Sequence, residues 1–254
     1  MENTKESLSA LAEISDAFER SWSVGTDEIE ERALFFCETG VKAAQLLATA
    51  AKAHGIEDNL LSEWAAAIPG SDALGLALRC DLKSVRLYTQ YWVAIATRVE
   101  SGNRSPFPLY RGFKSLPNGL VRRDDYICTP LAGPDIFWPP MADCFAAMDL
   151  DHKQAQIVFS ALTAETAIFT LTNGDGRKSW LTTVRRATID RTMLADWLAP
   201  LAAREGGSAI VKAAQTTDLV HVAGGMDSVK GAFLTFYFQS DAQTVLERLI
   251  SPDM

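Results

Sequence analysis

Between Asp72 and Tyr91 the chain alternates apolar and polar positions with a period of two. Leu74, Leu76, Leu78 and Cys80 face one way, and Ala73, Gly75, Ala77 and Arg79 face the other. After Asp81-Leu82-Lys83, Val85, Leu87 and Thr89 alternate with Arg86, Tyr88 and Gln90. This spacing predicts a β-hairpin with one apolar face. A second hairpin is predicted from Leu109–Leu116 and Leu120–Cys128 around Pro117-Asn118-Gly119. A third pairs Thr166–Thr172 with Lys178–Val184 around Asn173-Gly174-Asp175-Gly176. A fourth pairs Leu219–Ala223 with Ala232–Gln239 across a Gly224–Gly231 loop, with Gly224-Gly225 read as part of that loop.

Helical spacing separates the hairpins. It predicts helices over Val93–Val99, from about Met141 to Leu162 after a proline-rich crossing (Pro130, Pro134, Pro139, Pro140), from Thr188 onward with a break at Gly206-Gly207, and after Ser240. Before Asp72 the reading is helical throughout. One helix covers 1–22 (Leu8, Leu11, Ile14, Phe18), one runs from Thr26 to His54 before Gly55, and one covers Leu60–Ala67. Residues 1–70 are thus expected as a helical segment packing on a barrel domain over 71–254. The expected class is α+β: repeated ββα units forming an antiparallel β-barrel or strongly curved sheet surrounded by helices, with a helical N-terminal part.

Helices bury their apolar stripes against the apolar strand faces, so the other faces point inward. That puts Arg79, Arg86, Tyr88, Gln90 and Trp92 inside from the first hairpin, and Phe233, Thr235, Tyr237 and Gln239 from the last. In the third hairpin Lys178, Trp180 and Thr182 share the face taken as inward. In the second, Tyr110 and Lys114 lie on one face and Arg111 and Phe113 on the other, with Arg122 and Tyr126 aligned on the return strand. Buried basic groups need carboxylates or a polyanionic ligand, and inward acids look scarce in these strands. A diphosphate suits such an interior, because Arg, Lys and Tyr hold phosphate oxygens. Aromatic rings beside it can stabilise a carbocation through their π faces.

Composition sharpens this picture. The 254 residues carry 24 basic and 32 acidic side chains, a net charge of −8, and 48% of them are apolar. Disorder and low complexity are excluded, and so is a membrane-spanning helix, because no apolar stretch is long enough. The net charge disfavours nucleic acid. The polar, acidic start suggests the cytoplasm. The charge is unevenly placed: residues 1–32 hold three bases against nine acids, while residues 79–123 hold nine bases against two acids. An acidic exterior around a basic, aromatic interior follows.

Arg86-Leu87-Tyr88 on a return strand, set in repeated hairpin-helix units, resembles the ABBA-type aromatic prenyltransferases, whose strand motifs are of the K/R-x-Y kind. Thr235-Phe236-Tyr237 keeps only the Tyr. The resemblance implies a ten-stranded antiparallel barrel that binds an allylic diphosphate inside and transfers its prenyl group to an aromatic or indole-type acceptor. Only four hairpins are evident, so a fifth would have to come from the helical-looking region before Asp72. With this resemblance, the candidate diphosphate contacts are Arg79, Arg86, Tyr88, Lys114, Lys178 and Tyr237. Gln90, Trp92, Trp180, Phe233 and Thr235 are candidates for the pocket lining, and Asp81 and Asp124 for the base that removes the ring proton.

Asp124-Asp125-Tyr126 is not a DDxxD motif, so no magnesium cluster, metal or other cofactor is expected. P-loop, Rossmann and GxSxG signatures are missing as well. Cys37, Cys80, Cys128 and Cys144 lack metal or disulfide spacing and are expected as buried free thiols. Two alternatives stay open. One is a noncatalytic subunit using the same barrel for a small anionic ligand or a protein partner. The other is a cysteine-histidine hydrolase with Cys80 or Cys128 beside His221 and an acid such as Asp227.

Overall fold

The computed structural model describes residues 2–116, 119–174, 176–228 and 231–250. Five antiparallel hairpins close into a ten-stranded barrel: β1 (Ala17–Val24) with β2 (Ile29–Glu38), β3 (Ala73–Arg79) with β4 (Val85–Gln90), β5 (Phe107–Ser115) with β6 (Val121–Cys128), β7 (Ile168–Gly174) with β8 (Arg177–Thr183), and β9 (Leu219–Asp227) with β10 (Gly231–Ser240). Neighbouring strands follow chain order, and β1 closes the circle on β10 from Phe18↔Ser240 to Val24↔Leu234. Closure gives every strand a neighbour on each side.

Helices surround this wall: α1 (Glu2–Ile14), α2 (Val41–Ala53), α3 (Asp58–Ala67), α4 (Trp92–Glu100), α5 (Pro134–Ala147), α6 (His152–Val158), α7 (Arg191–Leu198), α8 (Gly207–Thr216) and α9 (Ala242–Ile250). Leu74, Leu76 and Leu78 on β3 point outward into a core shared with Leu47, Leu60 and Trp64 of α2 and α3. Each such leucine contributes about 1.5–3 kcal/mol on burial. On the opposite side, Phe236 and Phe238 of β10 pack among Phe145, Trp197 and Ile210 of α5, α7 and α8. Among the described residues, no helix is long and apolar enough to cross a membrane.

The four hairpins predicted after residue 72 are present, and the fifth lies where helices were expected. The 1–22 helix stops at Ile14, and the Thr26–His54 helix is replaced by β2 followed by α2. The expected helical segment over 1–70 therefore contains the hairpin that closes the barrel. Its strand period is plain once the register is known. Glu19, Ser21 and Ser23 point inward, while Phe18, Trp22 and Val24 alternate with them toward the helices. The clustered acids imitate a helix N-terminus, but Glu30 and Glu31 are strand residues held by arginines on both faces.

Other expectations change locally. The proline-rich crossing is the start of α5: Pro134 occupies its first turn, and Pro139 and Pro140 lie inside it. Gly224 and Gly225 belong to β9 rather than to a loop. A Cβ on Gly224 would come within 2.8 Å of Cys144, Leu234 and Trp180, and one on Gly225 within 2.2 Å of the Lys178 carbonyl. These glycines let β8, β9 and α5 approach one another. Of the predicted turns, Pro117-Asn118 and Asp175 lie outside the described residues.

Candidate functional site

The barrel interior has three zones in line. At the upper end is a cavity of about 310 Å³, lined by Arg32, Arg86, Lys114, Arg122 and Arg177 with Asp227, and by Tyr88, Phe233, Thr235 and Tyr237. Register explains this convergence. Arg86 pairs with Lys114 and Lys114 with Arg122, while Arg177 pairs with Asp227, so their side chains share one level of the wall. Below lies a constriction of about 40 Å³ walled by Tyr88, Tyr110, Tyr126 and Tyr237 with Leu34, Phe36 and Leu181. Below that is a second chamber of about 360 Å³ bounded by Glu19, Gln90, Trp92, Thr183, Arg185, Arg186 and His221.

Arg86 is the centre of the upper site. Its guanidinium donates to the Tyr126 hydroxyl at 2.9 Å and to Tyr88 at 3.4 Å, and lies 3.1 Å from Asp124 Oδ2. Burial disfavours the charged form, but Tyr126, Tyr88 and Asp124 outweigh it and hold the Arg86 pKa well above its ordinary value. Burial raises the pKa of Tyr126, and that of Tyr237 to about 12, so both hydroxyls stay protonated near neutrality. Arg122 makes a two-pronged ion pair with Asp227, whose hydrogen bond raises its pKa. Arg177 lies over the Phe233 ring at 4.8 Å and 3.7 Å from Asp124.

The expectation that inward acids are scarce is therefore corrected. Glu19, Glu30, Asp124 and Asp227 all face inward at 5% exposure or less. Glu30 comes from the strand that was not foreseen, and Asp124 and Asp227 sit where register sets them against arginines. Even so, five basic side chains against one acid line the upper cavity among the described residues.

The expected site residues separate into five groups. Arg86, Tyr88, Lys114, Tyr237, Phe233 and Thr235 meet at the upper cavity. Gln90 and Trp92 line the lower chamber, where the Trp92 indole N–H donates to Gln90 Oε1 at 2.7 Å. Arg79 and Asp81 stand at the rim: Arg79 is paired with Glu28, Glu30 and Asp81, and Asp81 sits in the exposed β3–β4 turn, away from either chamber. Asp124 is buried and held between Arg86 and Arg177.

Lys178 and Trp180 point the other way, which corrects their placement. Trp180 packs on Phe145 with ring centroids 6.2 Å apart in the outer core, and the Thr182 hydroxyl reaches the Met141 sulfur. Both faces of β8 mix large and polar residues, so its alternation alone did not orient it; burying the indole against α5 did. Lys178, on the same face, is exposed, and Arg177 takes the inward place.

Several interior groups were not foreseen as site residues. Arg32, Glu19 and Glu30 lie in the segments predicted as helices, although for Glu19 the alternation along 17–24 carries the signal. The sequence aligns Arg122 and Tyr126 on one strand without assigning either a role. Glu19 is 2% exposed; its Oε1 lies 3.4 Å from His221 Nε2, and its Oε2 has no hydrogen-bond partner among the described residues. His221 Nδ1 in turn meets Thr183 Oγ1 at 2.9 Å.

The hydrolase arrangement is not assembled. His221 and Asp227 lie at opposite ends of β9, about 20 Å apart along an extended strand. Asp227 is committed to Arg122, and burial pushes the Cys80 and Cys128 thiols up to about 12.

No family model matches the sequence, and no curated protein matches it. Solved structures do. The 6-dimethylallyltryptophan synthase from Micromonospora olivasterospora, crystallised with DMASPP and Trp, superposes with a TM-score of 0.57 at 13% identity, covering 94% of this chain and 85% of that one. The 5-dimethylallyltryptophan synthase from Streptomyces coelicolor gives 0.58 at 16% identity, covering 93% and 87%. PriB in its binary complex with product diphosphate gives 0.58 at 14% identity, covering 90% and 82%. With its closed ring of ten antiparallel strands inside a coat of helices, this chain has the ABBA prenyltransferase barrel fold.

Proposed function

We propose that this protein transfers a prenyl group from an allylic diphosphate to an aromatic or indole-type small molecule, without a DDxxD magnesium cluster. The observation that carries the reading is the vertical order of the interior, a basic cavity directly above a belt of tyrosines. The similarly folded dimethylallyltryptophan synthases support the same class of reaction.

In this reading Arg32, Arg86, Lys114, Arg122 and Arg177 hold the diphosphate, and the Tyr88 and Tyr237 hydroxyls donate to it. As the carbon–oxygen bond breaks, the departing diphosphate gains negative charge, and these fixed donors stabilise it where it forms. The allylic cation then faces Tyr88, Tyr126, Tyr237 and Phe233, whose rings stabilise it and exclude water. The acceptor ring attacks from below. Of the two acids the sequence offers as base, Asp81 is remote and Asp124 is held on the diphosphate side by two arginines. Glu19, with one oxygen unsatisfied beneath the tyrosine belt, is better placed to receive an N–H or a ring proton.

A second reading has its own support: the same basic cavity suits a noncatalytic anion-binding subunit, and Asp124, one of the two acids expected as base, is occupied by Arg86 and Arg177. Incubation with dimethylallyl or geranyl diphosphate and L-tryptophan or indole, followed by mass spectrometry and a diphosphate-release assay, separates the two. Prenylated product supports transfer. Thermal stabilisation by the diphosphates without product supports the binding subunit, and no response to any of them sinks both.

A further inference from the structure

Among the described residues the two chambers meet at the tyrosine constriction alone, and each reaches solvent at its own end of the barrel. Tyr88 and Tyr237 line both the upper cavity and the constriction, while Glu19, Phe36, Gln90 and His221 line both the constriction and the lower chamber. The upper cavity extends to Leu120, which is 52% exposed. The lower chamber extends to exposed Glu38, Arg185 and Arg186. At about 40 Å³, against about 310 and 360 Å³ for the two chambers, the constriction passes neither a diphosphate nor an indole ring without side-chain movement.

The two ends also differ in charge. Five basic side chains and Asp227 line the upper cavity, whereas Asp16, Glu19 and Glu38 balance Arg185 and Arg186 around the lower one. A polyanion is drawn to the upper mouth and gains nothing at the lower. The lower chamber instead offers aromatic surface from Trp92 and Phe36, and the buried, half-satisfied Glu19 carboxylate. That suits a planar aromatic molecule carrying an N–H donor and little net charge.

We propose that the barrel is loaded from both ends: the allylic diphosphate enters by the upper mouth and the aromatic acceptor by the lower. The inference rests on the prenyl-transfer reading and adds a separate route and chamber for the acceptor. Each mouth admits the substrate its charge favours, and the tyrosine belt keeps the two apart until they react across it. A diphosphate seated above the belt does not obstruct acceptor entry.

The test is calorimetric titration of the full chain with inorganic diphosphate and, separately, with L-tryptophan and indole. It compares the native protein with Ala73→Trp, which narrows the lower mouth, and Ala77→Trp, which fills the upper cavity. Ala73→Trp is expected to weaken indole and tryptophan binding at least tenfold and to change diphosphate affinity less than twofold. Ala77→Trp is expected to do the reverse. Glu38→Trp, at the exposed lower rim, serves as a second obstruction should Ala73→Trp fold poorly. Stopped-flow binding of the acceptor to protein preloaded with diphosphate should proceed within twofold of its rate on free protein. Unchanged acceptor affinity in both lower-mouth variants, a tenfold slower entry after preloading, or no acceptor binding by a native protein that binds diphosphate would overturn the inference and leave the diphosphate site standing. Failure of the native protein to bind diphosphate would remove the prenyl-transfer reading beneath it.

Discussion

Arg86 reaches from β4 to the Tyr126 hydroxyl on β6, 2.9 Å away, across the intervening strand at the level of Gly112. A Cβ at residue 112 would sit 3.3 Å from the Tyr88 ring, 3.5 Å from Arg86 Cδ and 3.6 Å from the Tyr126 ring. The missing side chain leaves room for the three groups to meet. Gly112→Leu should therefore displace Arg86, cost about 1–3 kcal/mol through overpacking, and weaken inorganic diphosphate binding at least tenfold. Urea unfolding and calorimetry check the two effects separately. Full diphosphate affinity in that variant would remove Arg86 from the site.

Adjacent residues on β8 give a sharper contrast. Arg177 faces the cavity and Lys178 faces solvent, although both carry one positive charge. Arg177→Ala should weaken diphosphate binding by tenfold or more, through loss of charge-assisted hydrogen bonds worth about 1.5–3 kcal/mol. Lys178→Ala should leave it within twofold. Equal losses from the two substitutions would show that binding responds to net charge rather than to the facing of the strand.

Phe145 tests the outer core independently of the site. Its ring packs against Trp138, Phe159, Trp180 and Trp197 with centroids 4.9–6.2 Å away. Phe145→Ala should cost about 3–5 kcal/mol of stability while the folded fraction binds diphosphate normally. A loss under 1 kcal/mol in denaturant titration would mean that the helices pack loosely on this side.

The cysteines predict how stability depends on alkali. Burial pushes Cys80 and Cys128 up to about 12 and Cys144 to about 11, from an ordinary value of 9.0. In the unfolded chain these thiols ionise near their ordinary value, so above it the unfolded state holds fewer protons than the native state. Stability should then fall as pH rises from about 9 towards 12. Replacing all three by Ser or Ala should flatten that fall in unfolding titrations. Native protein should also react slowly with thiol reagents at pH 8, and rapid labelling would contradict the burial.

The interior is legible where one strand face is mostly apolar. In β3, β4 and β10 the leucine, valine and phenylalanine positions turn one face to the helices, so alternation points Arg86, Tyr88, Phe233, Thr235 and Tyr237 inward, where they line the upper cavity; Gln239, expected beside them, lies beyond a register shift after Tyr237 and is exposed. The β1–β2 hairpin was not legible, because its acids sit at capping-like spacing. Their strand role depends on Arg20 across the hairpin and on Arg79 and Arg248, which approach from other parts of the chain.

By itself, then, the sequence determined the repeated hairpin-helix order and the facing of the strongly patterned strands, because burial of one apolar face is a local property with a period of two. Tertiary structure alone decided three things: that residues 17–38 close the ring, that Trp180 turns Lys178 outward, and that Asp124 and Asp227 stand against arginines. Each depends on which strand lies beside which. A one-residue change of register or facing would reverse every one of those contacts while leaving the hydrophobic pattern of the chain unaltered.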